Sequence, residues 1–234
     1  MNVDVKSLPP GVTCDSAYKY YDSAGDEEAW FEFPQIKYYT NAFIVKDDQV
    51  LLGFKKRGFG KGKYNGFGGK VEPGESSLQA AIRELEEESG VVAPLKQAGS
   101  FLFYTQGAEW AFHIDIYTAS TYEGNITETD EMRPEWFSLG QRLPKGDLAL
   151  FNERQNTDAP TEAETSEEEH PGVPYENMWE TDIVWLPLLF SGKKFIGRAD
   201  FVQTADKFEP RKWWYGLVLQ PEPDSPIPIN ESES

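Results

Sequence analysis

The sequence predicts an α/β (α+β) domain, and three features predict it. Two apolar, β-branched runs, YYTNAFIV (38–45) and QVLLGFKK (49–56), flank a turn-like Asp47-Asp48 pair and read as a core hairpin. A glycine-crowded stretch follows, GFGKGKYNGFGGKVEPGE (58–75), too interrupted for a helix and too tightly punctuated for an ordinary strand, so it reads as a functional loop. Leu78, Ala81, Ile82 and Leu85 then recur at helical spacing, with Ser76 placed to cap the start and Gly90 to end it, which predicts a helix over 76–89. Further strands are predicted at 99–105, 112–118 and 133–138, a short helix within 185–195 and a late strand at 211–219.

At 234 residues the chain is long enough for one sizeable core, and one domain with appendages is the expected organisation. An extension covers 1–36, the domain 37–219 and a tail 220–234. The extension carries an aromatic patch, Trp30, Phe31 and Phe33, through which it is expected to dock. An acidic low-complexity insertion is expected at about 141–173, centred on TEAETSEEE, because such a composition resists collapse into a core. The tail, QPEPDSPIPINESES, is Pro-rich and acidic and is expected to be disordered for the same reason.

A formal charge of −18 argues against polymeric nucleic acid as a partner, because that binding draws on Lys and Arg clusters that release counterions. A small phosphorylated ligand stays compatible, since metal ions neutralise phosphate where basic residues are scarce. Cys14 stands alone, so neither an internal disulfide nor a multi-cysteine metal site is expected. No apolar run reaches the roughly 18 residues that span a bilayer, and MNVDVKSLPPGV lacks a signal-peptide or transit composition. The expectation is a cytoplasmic monomer without a membrane partner, the nucleus and mitochondrion being alternative locations.

From Arg83 the chain reads Arg-Glu-Leu-Glu-Glu-Glu-Ser-Gly. A 3.6-residue period places Glu84, Glu87 and Glu88 along one side of the helix and Leu78, Ile82 and Leu85 along another. Like charges so spaced repel, and a hard divalent cation with oxygen ligands offsets that cost. An acidic run alone is more often a solvated face. Its surroundings change that reading: Gly69, five residues, Glu75, seven residues, Arg83-Glu84-Leu85, one residue, Glu87-Glu88, one residue, Gly90-Val91.

That spacing resembles the Nudix hydrolase box at every specified position. The resemblance implies an α/β/α sandwich around a mixed sheet, with a catalytic loop-helix-loop. It implies Glu84, Glu87, Glu88 and Glu131 as catalytic metal ligands, joined by the carbonyl of Gly68, and Mg²⁺ as the cofactor with Mn²⁺ as the alternative. Glu75 and Arg83 would brace the motif, and either Glu84 or Glu131 would deprotonate the attacking water. The reaction implied is attack of water on a phosphorus of a nucleoside triphosphate, giving monophosphate and pyrophosphate.

Outside the box, LLGFKKRGFGKGKYNGFGGKVEPGE, TDEMRPEWF (129–137) and MW-x-x-D-x-x-WLPLL (178–189) resemble the animal-type MutT homologues, the oxidised-purine nucleoside triphosphatases. By that resemblance Asn65 would bond the purine, Trp179 would stack on it and Asp182 would read its edge. Thr40, Lys55, Phe59, Phe67, Gly68, Gly69, Lys70, Phe103 and Thr181 complete the expected substrate contacts. Taken alone, Asn65 reads equally as the turn residue of Asn-Gly and Trp179 as a core residue. One position departs from that family: Thr181 stands where a first of two adjacent acids is usual, so proton sharing with Asp182 is lost. His113 and His170 suggest no nucleophilic triad. The expected activity is hydrolysis of 8-oxo-dGTP and 2-hydroxy-dATP. The alternatives are Nudix hydrolysis of a dinucleoside polyphosphate, ADP-ribose or an RNA cap, and a non-catalytic nucleotide-binding module.

Overall fold

The computed structural model describes residues 7–140, 170–204 and 207–219. The tail at 220–234 and nearly all of the expected acidic insertion lie outside them.

The hairpin forms where the apolar runs place it. Strands β2 (Ile36–Lys46) and β3 (Gln49–Lys55) pair antiparallel, and the two-residue turn between them holds Asp47 in the left-handed region at φ 55°. Strands β6 (Lys96–Thr105), β7 (Ala111–Ala119), β9 (Met132–Ser138) and β11 (Phe208–Val218) occupy the remaining strand-like runs. Two long strands were not read from the sequence, β1 (Tyr18–Ala24) inside the extension and β10 (Phe195–Gln203). With the two-residue β4 (Tyr64–Asn65), these build a nine-stranded mixed sheet in the order β1-β11-β10-β6-β7-β2-β3-β4, β9 pairing with the other side of β3. The β10–β6 and β2–β7 pairs are parallel and the rest antiparallel. β5 (Val91–Val92) and β8 (Glu123–Gly124) form a separate two-stranded ribbon.

Alternation along the central strands sends side chains to opposite faces. Ala42, Ile44 and Leu51 pack under helix α1 (Ser77–Ser89), whereas Phe43, Val50 and Leu52 pack with helix α2 (Asp182–Phe190). The sheet is therefore covered by a helix on each face.

Helix α1 starts with a reciprocal cap. The Gln79 N–H donates to Ser76 Oγ, the Ser76 N–H donates to Gln79 Oε1, and Gly90 closes the other end in the left-handed conformation. Its buried stripe runs through Ala81, Leu85 and Glu88, while Leu78, expected to face inward, is 40% exposed. The stripe that meets the sheet thus takes in a carboxylate in place of that leucine.

The extension is part of the fold. Arg198 and Asp200, both fully buried on one side of β10, form a two-point ion pair with N···O distances of 2.8 and 2.9 Å. Arg198 also donates to the carbonyls of Pro10 at 2.7 Å and Phe31 at 2.6 Å, and the Phe31 N–H donates to Asp200 at 2.8 Å. Trp30 and Phe33 stack on the same guanidinium. Removing one partner of such a pair strands a buried charge. Asp200→Ala is therefore expected to lower the unfolding free energy by about 3–5 kcal/mol in urea denaturation, far more than substitution of an exposed acid.

Candidate active site

The inward stripe of α1 carries Glu88 beneath the glycine loop. One of its oxygens accepts the Gly68 N–H at 2.8 Å, and the other faces Lys55 Nζ at 3.3 Å. Burial pushes the Glu88 carboxyl up to about 7 against the pull of that ammonium and that N–H. Burial also raises Glu84, although Arg83 Nη1 stands 2.7 Å from its carboxylate. Lys55 in turn lies 2.9 Å from Glu131, and this hydrogen bond holds the Glu131 carboxyl below its ordinary value. Burial works against the Lys55 charge, but its two carboxylate partners outweigh it.

Arg83 ties the helix to the loop. It grips Glu75 at 2.7 and 3.2 Å and donates to the Lys70 carbonyl at 3.2 Å. Gly69 is required by this geometry, since a Cβ there would lie 2.4–2.6 Å from the three carboxylate atoms of Glu84.

A cavity of about 570 Å³ joins these acids to an aromatic end. Glu84, Glu88, Glu131, Lys55, Gly68 and Gly69 line one part of it, and Thr40, Asn65, Phe59, Phe103, Trp179 and Asp182 line the other. Phe59 stacks on Trp179 with ring centroids 5.3 Å apart and planes 24° from parallel. Asp182 is held from both sides: the Trp179 N–H donates to one oxygen at 3.1 Å and the Trp185 indole N–H to the other at 3.0 Å. Burial nevertheless pushes the Asp182 carboxyl up to about 7.

Four expected site residues stand elsewhere. Glu87 is 59% exposed and off the cavity wall, although Arg83 Nη1 links it to Glu84, 3.3 Å from one carboxylate and 2.7 Å from the other. Phe67 is sealed in the α1 core with Leu85 and Met132. Lys70 points outward toward Glu72, 3.8 Å away. Thr181 is buried at the start of α2, off the cavity wall. The sequence reading also missed Lys63, Trp110, Phe112 and Ile114 on the wall. The spacing of Trp110, Phe112 and Ile114 by two was the available signal, one face of an extended segment turned toward the cavity.

Among the described residues no three Asp, Glu, His or Cys side chains stand gathered, as placed, into an ion-holding group. Lys55 bridges Glu88 and Glu131, and Arg83 bridges Glu84 and Glu87. The donor chemistry still fits a hard divalent cation. Glu84, Glu88 and Glu131 present carboxylate oxygens to the cavity, and burial opposes the charge of the first two, which a cation would offset.

The raised Asp182 carboxyl gives a stability signature. The folded protein holds a proton that the unfolded chain, near 3.8, has released, so this contribution is complete below 3.8 and is lost as pH rises to about 7. Asp182→Asn is expected to flatten that part of the pH profile. The check is urea denaturation of both proteins from about pH 4 to about pH 8, where their difference in unfolding free energy should change below neutrality and level off above it.

The NUDIX domain pattern matches residues 37–156. An oxidized purine nucleoside triphosphate hydrolase of Danio rerio is 39% identical over 166 residues, covering 70% of this chain and 86% of that protein. One of Mus musculus is 37% identical over 164 residues, covering 70% and 85%. A crystal structure of a MutT protein from Bacillus halodurans shares the fold, with a TM-score of 0.50 at 23% identity over 76% of this chain and 97% of that one. The box, the fold and these relatives agree, and the chain belongs to the Nudix hydrolase family.

Proposed function

We propose that the protein is a Mg²⁺-dependent hydrolase of oxidised purine (deoxy)nucleoside triphosphates, 8-oxo-dGTP and 2-hydroxy-dATP among them, releasing the monophosphate and pyrophosphate and acting as a monomer. One observation carries this reading: a single cavity has carboxylates and Lys55 in one part and stacked rings with an amide and a buried acid in the other. That division matches a nucleotide, charged at one end and flat and hydrogen-bonding at the other. The names of the zebrafish and mouse relatives support the same substrate class.

Nudix hydrolases use divalent cations, and Glu84, Glu88 and Glu131 are the side chains that would hold Mg²⁺ here. Bound there, it supplies neutralisation of phosphate charge and polarisation of the attacked phosphorus. Lys55, 3.3 Å from Glu88 and 2.9 Å from Glu131, adds positive charge on the same wall, where it would attract the triphosphate. The Trp179 ring offers a stacking face, and Asn65 and Asp182 offer the polar groups that read the base edge. Either Glu84 or Glu131 would take the proton of the attacking water, and the Arg83–Glu75 grip keeps Glu84 against the loop. Glu87, off the wall, would serve through Arg83.

A steady-state comparison of 8-oxo-dGTP, 2-hydroxy-dATP and dGTP with Mg²⁺ tests base and chemistry together. The oxidised substrates are expected to exceed dGTP in kcat/KM by about tenfold or more. Glu88→Gln and Glu84→Gln should each lower kcat by about 100-fold or more with unchanged circular dichroism. Turnover of diadenosine polyphosphates far above that of 8-oxo-dGTP would refute the substrate assignment.

A further inference from the structure

Asn41 lies on β2 in line with Phe43, a core residue two positions on, yet it carries an amide. Only 7% exposed, it lines the cavity beside Asn65. Its Nδ2 donates to Asn65 Oδ1 at 2.7 Å, and its own Oδ1 is buried without a hydrogen-bond partner. An unsatisfied buried amide oxygen costs stability, so packing alone does not account for this residue. The approach is close: a Cβ on Gly66 would lie 2.3 Å from Asn41 Oδ1, so the neighbouring loop position has to be glycine.

The consequence falls on Asn65. Its Oδ1 accepts from Asn41 and, at 2.9 Å, from the Gly66 N–H, which commits the oxygen side of the amide to the protein. Among the described residues no acceptor meets its Nδ2, so the N–H₂ side is the one left for a ligand. An amide that can only donate recognises an acceptor on a base edge. At C6 of a purine the carbonyl is an acceptor, whereas the amino group is a donor.

We propose that Asn41 is a specificity-determining positioning residue: by holding Oδ1 of Asn65 it turns the Asn65 amide so that N–H₂ faces the base, and it thereby selects purines with a carbonyl at C6 over those with an amino group. This rests on the assignment of the cavity to oxidised purine triphosphates and ranks 6-oxo purines above 6-amino ones, 2-hydroxy-dATP included, within that class.

The test compares 8-oxo-dGTP, and 8-oxo-dITP that lacks its 2-amino group, with 8-oxo-dATP in the wild type, Asn41→Leu and Asn41→Asp; all three share the C8 lesion, and 8-oxo-dITP differs from 8-oxo-dATP only in the 6-oxo group and its N1 proton. Leucine removes one of the two donors on Asn65 Oδ1 and leaves only the Gly66 N–H to hold the amide, so that it turns more readily. The wild-type preference for the 6-oxo substrates over 8-oxo-dATP in kcat/KM is expected to shrink by about tenfold, through KM more than kcat. Aspartate is isosteric, so it preserves the packing, and as an acceptor it draws Asn65 Nδ2 toward itself. This variant is expected to favour 8-oxo-dATP. If both variants are folded by thermal melting and keep the wild-type ratios, or lose activity equally on all three substrates, Asn41 sets no specificity and the inference falls alone. If the wild type turns over none of the three substrates, the functional assignment itself falls.

Discussion

The site depends on a carboxylate being kept out of water. Glu88 occupies a position on α1 that packing would give to an apolar side chain, in line with Ala81 and Leu85. Desolvation disfavours its charge, and the structure answers with the Gly68 N–H on one oxygen and the Lys55 ammonium near the other. Both compensating groups come from other elements: the glycine loop supplies the first and β3 the second. The helix, the loop and the hairpin are thus fixed relative to one another by the partners one buried acid needs.

The other end of the cavity follows a different logic. Its walls are aromatic and come from separated parts of the chain: Phe59 from the loop, Phe103 and Phe112 from paired strands β6 and β7, and Trp179 just ahead of α2. Rings supply area with few rotatable bonds, so such a wall binds a flat ligand at low entropic cost. Selectivity cannot come from stacking, which accepts any base. It has to come from the few polar atoms aimed between the rings, and these are held by second groups, Asn65 by Asn41 and Asp182 by Trp179 and Trp185.

The departure at Thr181 looks different once its position is known. The sequence suggests a substrate contact at Thr181 and a lost proton-sharing partner for Asp182, but Thr181 is buried away from the wall, and of the two only Asp182 reaches the cavity. Nor is the N-terminal extension an appendage. It adds β1 to the edge of the sheet and lies over a buried Arg198–Asp200 pair whose remaining hydrogen-bond capacity it fills. Buried ions of this kind are costly unless every donor and acceptor is met, which is why the covering segment and the pair occur together.

The sequence alone determined what is local. Ser76, Gln79 and Gly90 specify both ends of α1 because caps act within one turn, and the two apolar runs around Asp47-Asp48 specify the hairpin because turn length sets pairing. The spacing of Glu75, Arg83, Glu84 and Glu88 was legible for the same reason. Tertiary structure decided which side of the helix met the sheet, and so put Glu84 and Glu88 on the cavity wall and left Glu87 exposed beside it. It also decided that Asn41, in a strand that reads as core, stands beside Asn65, and that Trp110 and Phe112 line the cavity. Burial and side-chain partners across the sheet arise only when distant strands pair, and β6 with β10, like β2 with β7, are parallel pairs that no local turn encodes.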